Sequence, residues 1–116
     1  MDHIAIPPDD AQGSNGRWLD PLAKIAFLCA ATEHIELGIS ILVLPYRPAL
    51  PIAKWISTIQ ELRDKRLYLG IGASWMDAEF KALGIDKRQR EPNNNNAIRL
   101  LRRGFDVPDG VVTING

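Results

Sequence analysis

One histidine of this sequence has the chemistry of a proton carrier. His3 follows Asp2 and precedes the short apolar run Ile4-Ala5-Ile6. An imidazole exchanges a proton near neutral pH, which suits it to general acid or base catalysis. The residues alone leave a second interpretation open, in which His3 is merely solvated near the N-terminus. His34 falls at the end of a predicted helix, where a cation is mildly stabilised, and is interpreted as structural.

A glycine-rich stretch, Gly70-Ile71-Gly72-Ala73-Ser74-Trp75, follows a predicted strand and opens a predicted helix. Glycines let the backbone approach a flat ring or a phosphate closely, and a helix N-terminus favours an anion. Ser74 and Asp77 have the spacing of a capping box, with Asp in place of the usual Glu or Gln. The stretch also imitates a dinucleotide fingerprint, although Trp75 stands where the third glycine belongs. An open-sheet NAD(P)-binding protein is therefore kept as a minor alternative.

Basic side chains near these stretches are the other candidates for ligand contact. Arg47 and Lys54 flank a predicted helix, and three more cations cluster further along, at Lys87, Arg88 and Arg90. They could meet phosphates, but a solvated face is the plainer interpretation. Cys29 is predicted to pack in the core, because it lies on the apolar stripe of its helix.

Composition limits the classes of function that this chain can have. Its 116 residues are 46% apolar, which suits one globular domain. Fourteen basic and fourteen acidic residues give a formal charge of zero, so no electrostatic surface for nucleic acid or an anionic membrane is expected. A single cysteine allows no internal disulfide, and no Cys/His set has zinc-site spacing. Without a membrane-spanning run or an export signal, we expect a cytoplasmic protein and no metal.

Hydrophobic periodicity predicts alternating strands and helices. The predicted strands are residues 3–6, 35–44 and 66–72, with a small strand at 111–114. Asp20-Pro21 begins the first helix, and a second runs from about Ala49 to Asp64 with one apolar side made of Ile52, Trp55, Ile56, Ile59 and Leu62. A short helix is lined by Met76, Phe80 and Leu83. Residues 86–96, which include the run Asn93–Asn96, are predicted to be irregular before a last helix at 97–105.

The spacing of the predicted strands favours a parallel sheet. Strand starts near residues 3, 35 and 66 lie about 31 residues apart, the length of a strand–helix–strand unit with a right-handed crossover. The architecture is therefore α/β, as either a piece of a (β/α) barrel or a small open sheet. Three parallel strands leave two open edges, so we expect this chain to be part of a larger fold.

Between Asp2 and about Glu91 the sequence resembles the bacterial luciferase-like monooxygenase superfamily, and within it the deazaflavin (coenzyme F-420)-dependent branch. Four stretches carry the resemblance, in order and at matching spacing. They are Asp2-His3-Ile4-Ala5-Ile6-Pro7; Asp20-Pro21 through Ala31-Thr32-Glu33-His34-Ile35-Glu36-Leu37-Gly38; Leu44-Pro45-Tyr46-Arg47-Pro48 with Ala53-Lys54; and Arg66 through Trp75 with Glu79-Phe80 and Ala82-Leu83-Gly84.

The resemblance implies a partial (β/α)8 TIM barrel with about three parallel strands and intervening helices. Residues 1–116 would form a single partial domain, matching about barrel units two to four, with the resemblance strongest over 2–91. A full barrel needs about 250 residues, so the chain looks like a truncated member. The run Asn93–Asn96 departs from the family pattern, which fits a truncated, duplicated or decaying copy.

The same resemblance implies a site for a flavin-type coenzyme. His3 would be the catalytic acid or base, and the coenzyme would contact Asp2, Ser40, Ile41, Gly72, Ala73 and Ser74. A non-prolyl cis peptide at Ser40-Ile41 would support the ring, against the alternative of an ordinary trans strand. The implied coenzyme is deazaflavin F-420, with FMN as the alternative. The implied activity is that of an oxidoreductase that transfers a hydride between the coenzyme and a small organic substrate.

A non-catalytic role is the other hypothesis. Half a barrel exposes open strand edges and inner side chains, so it must self-associate, pair with a complementing chain or stay loosely folded. An interaction module or an inactive remnant would then replace the enzyme, and turnover by the isolated short chain is doubtful in either case.

Overall fold

Helices and strands alternate along the chain in the computed structural model, which describes residues 1–11, 15, 17–62 and 67–106. The helices and strands are α1 (Pro21–Ala31), β1 (Leu37–Val43), α2 (Ala49–Leu62), β2 (Leu67–Gly72), α3 (Asp77–Leu83) and α4 (Arg90–Asp106). Short 3-10 turns lie at Pro8–Asp10, Leu44–Tyr46 and Lys87–Gln89. From α1 to α4 the predicted order of helices and strands is confirmed, and the predicted strand 111–114 lies outside the described residues.

The two strands pair in parallel, as their spacing predicts. Leu37 stands opposite Leu67, and Val43 stands opposite Gly72 at the carboxyl ends. The register shifts between Ile39 and Leu42. Within that shift the peptide bond between Ser40 and Ile41 is cis, so the alternative of an ordinary trans strand is wrong. Because the strands are parallel, their carboxyl ends lie at one edge of the sheet.

The predicted first strand, residues 3–6, is not a strand. Among the described residues the sheet contains β1 and β2 alone. The backbone N–H groups of Ile4 and Ala5 donate to the carboxylate of Glu79, at 2.6 and 3.2 Å, and so are used by a side chain rather than by a sheet ladder. An apolar run of four residues cannot show from its own sequence which of these partners it will meet.

α1 begins where the sequence predicts. The Asp20 side chain accepts a hydrogen bond of 2.9 Å from the Ala23 N–H, and Pro21 occupies the first helical position. The buried face of the helix contains Leu22, Ile25 and Cys29. The prediction that Cys29 packs in the core is confirmed.

α2 buries a narrower face than its sequence suggests. Ile52, Ile56 and Ile59 are buried, whereas Trp55 is 47% exposed and Leu62 is 73% exposed. At about 100° per residue, Trp55 and Leu62 lie roughly 60° and 80° from Ile52 around the helix axis. They therefore border the buried stripe on the predicted apolar side of the helix, but they are not part of the core.

α4 extends through the segment predicted to be irregular. It begins at Arg90 and includes Asn93–Asn96. Pro92 falls in the first turn, where its missing N–H leaves no helical hydrogen bond unmade. Ala97 and Leu101 are buried in the main core, so packing compensates for the poor helix propensity of asparagine.

One core holds the helices against the sheet. Its buried residues come from α1, β1, the turn after β1, α2, β2 and α4, and they include Leu42, Leu44, Ile52, Ile56, Leu67, Ala97 and Leu101. A smaller cluster of Val43, Tyr46 and Phe80 lies near the carboxyl ends of the strands. No helix in the described part of the chain is both long and apolar enough to cross a membrane.

Two strand glycines differ in the room that they leave for a side chain. A Cβ at Gly70 would lie 2.9 Å from the Ile39 carbonyl oxygen, whereas one at Gly38 would have its nearest neighbour at 3.7 Å. We expect Gly70→Ala to lower the free energy of unfolding by about 1–3 kcal/mol, because the backbone of β1 must move. Gly38→Ala is the matched control and should be neutral or slightly stabilising. Urea unfolding measures both, and equal effects would contradict the packing described.

Candidate functional site

Asp2 anchors the N-terminal segment to the carboxyl end of β1. Its buried carboxylate accepts a hydrogen bond of 2.9 Å from the Val43 N–H. The Arg47 guanidinium donates to both carboxylate oxygens, at 2.6 and 3.0 Å. Since these contacts occupy Asp2 within the chain, its predicted contact with a coenzyme stays a prediction.

Arg47 binds carboxylates of this chain, so neither of its predicted roles, a phosphate ligand or a solvated surface charge, describes it. Besides Asp2 it binds Asp20, with Nη2 at 2.8 Å from Oδ2. Burial alone would lower the pKa of Arg47, but the hydrogen bonds and charges of the two aspartates outweigh burial and raise it. The guanidinium thus joins the N-terminal segment, β1 and the start of α1.

A buried glutamate is the centre of the site. The side chain of Glu79, on α3, is 0% exposed. It accepts hydrogen bonds from the Ile4 and Ala5 N–H groups and from the Tyr46 hydroxyl, and its Oε2 lies 3.4 Å from His3 Nδ1. A buried carboxylate requires such partners, because burying it without them is very costly. Glu79 therefore fixes where the segment with His3 lies.

Glu79 and Tyr46 belong to motifs that carry the resemblance, but the sequence predicts no role in the site for either residue. One signal was available for Glu79. It follows Met76 by three residues and precedes Leu83 by four, so it lies on the apolar face of the helix. A carboxylate in that position predicts several hydrogen-bond donors nearby. No comparable signal identifies Tyr46.

The Tyr46 hydroxyl connects Glu79 to the glycine-rich stretch. Burial, followed by the hydrogen bond to Glu79, raises the pKa of Tyr46, so the phenol stays protonated. Its single proton goes to Glu79, and Ser74 Oγ, 2.5 Å away, must donate to the phenol oxygen. Ser74 Oγ also accepts a long hydrogen bond of 3.4 Å from the Met76 N–H, so one of its two acceptor sites is left for a ligand.

The predicted capping box is wrong. α3 begins after Met76, which has no side-chain cap, and the Ser74 hydroxyl is turned to Tyr46 instead. Ser74 has φ 62°, in the left-handed region, which directs the chain out of β2.

The His3 ring is held on several sides. Its side chain is 12% exposed, so the merely solvated alternative does not describe it. The ring packs against Trp18 in an edge-to-face arrangement with the centroids 4.8 Å apart, and Nε2 lies 2.9 Å from Met1 Sδ. The structure therefore places a proton-exchanging group within a row formed by His3, Glu79, Tyr46 and Ser74.

The remaining predicted coenzyme residues form a ledge of small and apolar groups. Ser40 and Ile41 are exposed on β1, and Gly72 and Ala73 are half-buried at the end of β2. A Cβ at Gly72 would lie 2.8 Å from Ile41 Cγ2, so Ile41 packs directly on the glycine. The structure thus brings Ile41 and Gly72 into contact. Hydrogen bonds through Tyr46 and Glu79 connect Ser74 to His3.

Two of the other cations are engaged locally. Lys87 donates to the Trp75 carbonyl at 2.6 Å and to the Asp77 carboxylate, and Arg88 pairs with Asp86. Trp75 itself is largely exposed. Among the described residues, no three His, Cys, Asp or Glu side chains are grouped to hold a metal ion.

The ion pair of Asp20 is expected to make the free energy of unfolding depend on pH. Burial acts to raise its pKa, but the Ala23 N–H and Arg47 outweigh burial and lower the pKa below 3.8. A lowered pKa stabilises the fold at neutral pH, and this contribution is lost as the pH falls through the folded-state value. At neutral pH we expect Asp20→Asn to be less stable by up to about 1 kcal/mol, because the ion pair is partly exposed. Urea unfolding should show that deficit shrinking between about pH 5 and pH 3.

Asp9→Asn is the matched control for this experiment, since Asp9 is exposed in the same part of the chain. It should follow the wild type at every pH. A deficit of Asp20→Asn that stays constant with pH would contradict the account of the ion pair.

The chain is similar to known proteins in both sequence and fold. A sequence profile described as luciferase-like monooxygenase matches residues 4–116. The chain is 35% identical over 78 residues to the FMNH(2)-dependent dimethylsulfone monooxygenase of Pseudomonas fluorescens, covering 65% of this chain and 21% of that protein. It is 32% identical over 69 residues to the dibenzothiophene-sulfone monooxygenase of Rhodococcus erythropolis, covering 60% of this chain and 15% of that protein.

A solved structure shares the fold. The monooxygenase RslO1 from Streptomyces bottropensis superposes with a TM-score of 0.72 at 22% identity, over 84% of this chain and 29% of that one. The predicted α/β class and partial-barrel architecture are confirmed, with two parallel strands in the described residues instead of about three. The chain spans less than a third of the length of each of these proteins.

Proposed function

This chain belongs to the luciferase-like monooxygenase family, and from that premise we propose that it contributes a coenzyme-binding part of an oxidoreductase active site at the carboxyl ends of β1 and β2. One observation carries the proposal: a hydrogen-bonded row leads from His3 through Glu79 and Tyr46 to Ser74, beside the ledge of Ile41 and Gly72. Parallel strands of barrel enzymes carry their active sites at this end. Residues 1–116 then form one partial-barrel domain.

The residues of the ledge fit a flat ring. Gly72 has no side chain, Ala73 has a small one, and Ile41 offers a partly exposed apolar surface. Ser74 adds a hydrogen-bond acceptor at the margin of this surface. When bound, a flavin or deazaflavin supplies the redox chemistry, while the protein binds the ring, excludes water and handles a proton. His3 is the residue we propose for that proton, with Asp2 holding its segment in place.

For the coenzyme itself, reduced FMN is favoured by the named activity of the dimethylsulfone monooxygenase. Deazaflavin F-420, with hydride transfer to or from a small organic substrate, is the second choice. The two sulfone monooxygenases make small sulfones the first substrates to screen. We place the protein in the cytoplasm, where such coenzymes are kept reduced.

The decisive experiment titrates the 116-residue chain with FMN, with F-420 and with NADPH, followed by ring fluorescence. We expect saturable binding of FMN or F-420, and about tenfold weaker binding by Gly72→Ala, whose new Cβ meets Ile41 and narrows the ledge. Gly38→Ala, at the other end of β1, is the matched control and should bind normally. Failure of both flavin-type coenzymes to bind at millimolar concentration would overturn the proposal, and binding of NADPH alone would favour the dinucleotide alternative.

A non-catalytic role is the second proposal, favoured by what the fold leaves uncovered. Among the described residues neither β1 nor β2 pairs on its outer edge, and large apolar side chains such as Phe27 and Leu50 are exposed. We propose that a second copy or a complementing chain covers these surfaces. Sedimentation measures the mass in solution, and a monomer at high concentration would exclude self-association.

A further inference from the structure

The environment of His3 determines where its proton lies. Nδ1 is 3.4 Å from Glu79 Oε2, and Nε2 is 2.9 Å from the Met1 thioether. A neutral imidazole carries an N–H on one ring nitrogen and a lone pair on the other. Either Glu79 or Met1 therefore faces the N–H, and the other faces the lone pair. The Glu79 carboxylate is a strong hydrogen-bond acceptor, whereas the Met1 thioether is a weak one.

Glu79 acts only as an acceptor here. Its Oε1 accepts from the N–H groups of Ile4 and Ala5, and its Oε2 accepts from the Tyr46 hydroxyl. A lone pair on Nδ1 would therefore face a buried carboxylate oxygen and be repelled by it. A proton on Nδ1 is attracted instead, and a thioether is too weak an acceptor to compete for it.

We propose that Glu79 is a positioning residue that holds neutral His3 in the Nδ1–H tautomer, with the Nε2 lone pair left to receive a proton. His3 then acts first as a base or acceptor, and the ligand group that complements it is an N–H or O–H donor. This role toward a ligand rests on the proposed function, which is what places a ligand beside His3. The tautomer itself belongs to the ligand-free chain.

The tautomer can be measured without any coenzyme. Long-range proton–nitrogen correlation spectra of the 15N-labelled, 116-residue chain distinguish the two ring nitrogens of each histidine. His34, whose side chain is 93% exposed, provides an internal reference in the same sample. We expect the Nδ1–H fraction to exceed the Nε2–H fraction for His3, with a ratio shifted about tenfold or more from that of His34.

Two variants test whether Glu79 sets the tautomer of His3 or only supports the fold. Glu79→Gln should return the tautomer ratio of His3 toward that of His34. Tyr46→Phe removes another hydrogen bond to the same oxygen but leaves the His3 contact, and should keep the Nδ1–H form. Predominance of Nε2–H in the wild type overturns the proposal even if Glu79→Gln does not fold, as does an unchanged ratio in a folded Glu79→Gln. A chain that binds no flavin but shows the Nδ1–H form would contradict the proposed function and leave the positioning role intact.

Discussion

Replacing Arg47 by Met is expected to lower the free energy of unfolding by about 3–5 kcal/mol, the range for removing one partner of a buried ion pair. The substitution leaves the Asp2 carboxylate, whose side chain is 0% exposed, without its cation. Among the described residues, the Val43 N–H would then be the remaining donor to that carboxylate. Since domains of this size are stable by about 5–15 kcal/mol, the loss is a large part of the total.

Arg88→Met is the matched control, because it removes the same charge from an ion pair whose arginine side chain is 88% exposed. Its effect on stability should be far smaller than that of Arg47→Met, because water and salt screen an exposed ion pair. In a double-mutant cycle measured by urea unfolding, adding Asp2→Asn to Arg47→Met should cost far less than Asp2→Asn alone. Equal losses for the two arginine variants would show that Asp2 and Arg47 do not form a buried pair.

A second large effect is expected in α2, where neighbouring residues meet different surroundings. Ile56 is fully buried and should cost about 2–5 kcal/mol on truncation to Ala, through lost burial and the cavity left behind. Trp55, although larger, is 47% exposed, so its truncation to Ala should cost less than that of Ile56 in the isolated chain. Urea unfolding of both variants decides the matter. A larger loss for Trp55→Ala would mean that the helix is rotated from its described position.

Local signals in the sequence predict much of this fold. Asp20 and Pro21 mark the start of α1, because a cap and a first-turn proline act on the nearest backbone groups. The parallel pairing of β1 and β2 follows from their spacing, which leaves room for one crossover helix. These features depend on neighbours along the chain, so the residues themselves carry the information.

The parts that escaped prediction depend on distant partners. Whether residues 3–6 form a strand is decided by Glu79, which lies more than 70 residues away. The helical state of Asn93–Asn96 depends on the burial of Ala97 and Leu101, which overrides local propensity. The row from His3 to Ser74 likewise needs α3 and the turn after β1 to meet. Periodicity cannot show such contacts, although Glu79 on an apolar helix face was a usable sign.

We propose that the N-terminal segment, the end of β1 and the start of α3 together form one coenzyme site. The most direct test adds FMN to the 15N-labelled, 116-residue chain and maps the changes in amide chemical shift. We predict saturable changes at Ser40, Ile41, Gly72, Ala73 and Ser74, with smaller ones at His3 and Ile4. Changes confined to another surface, or none at saturating FMN, would contradict the account.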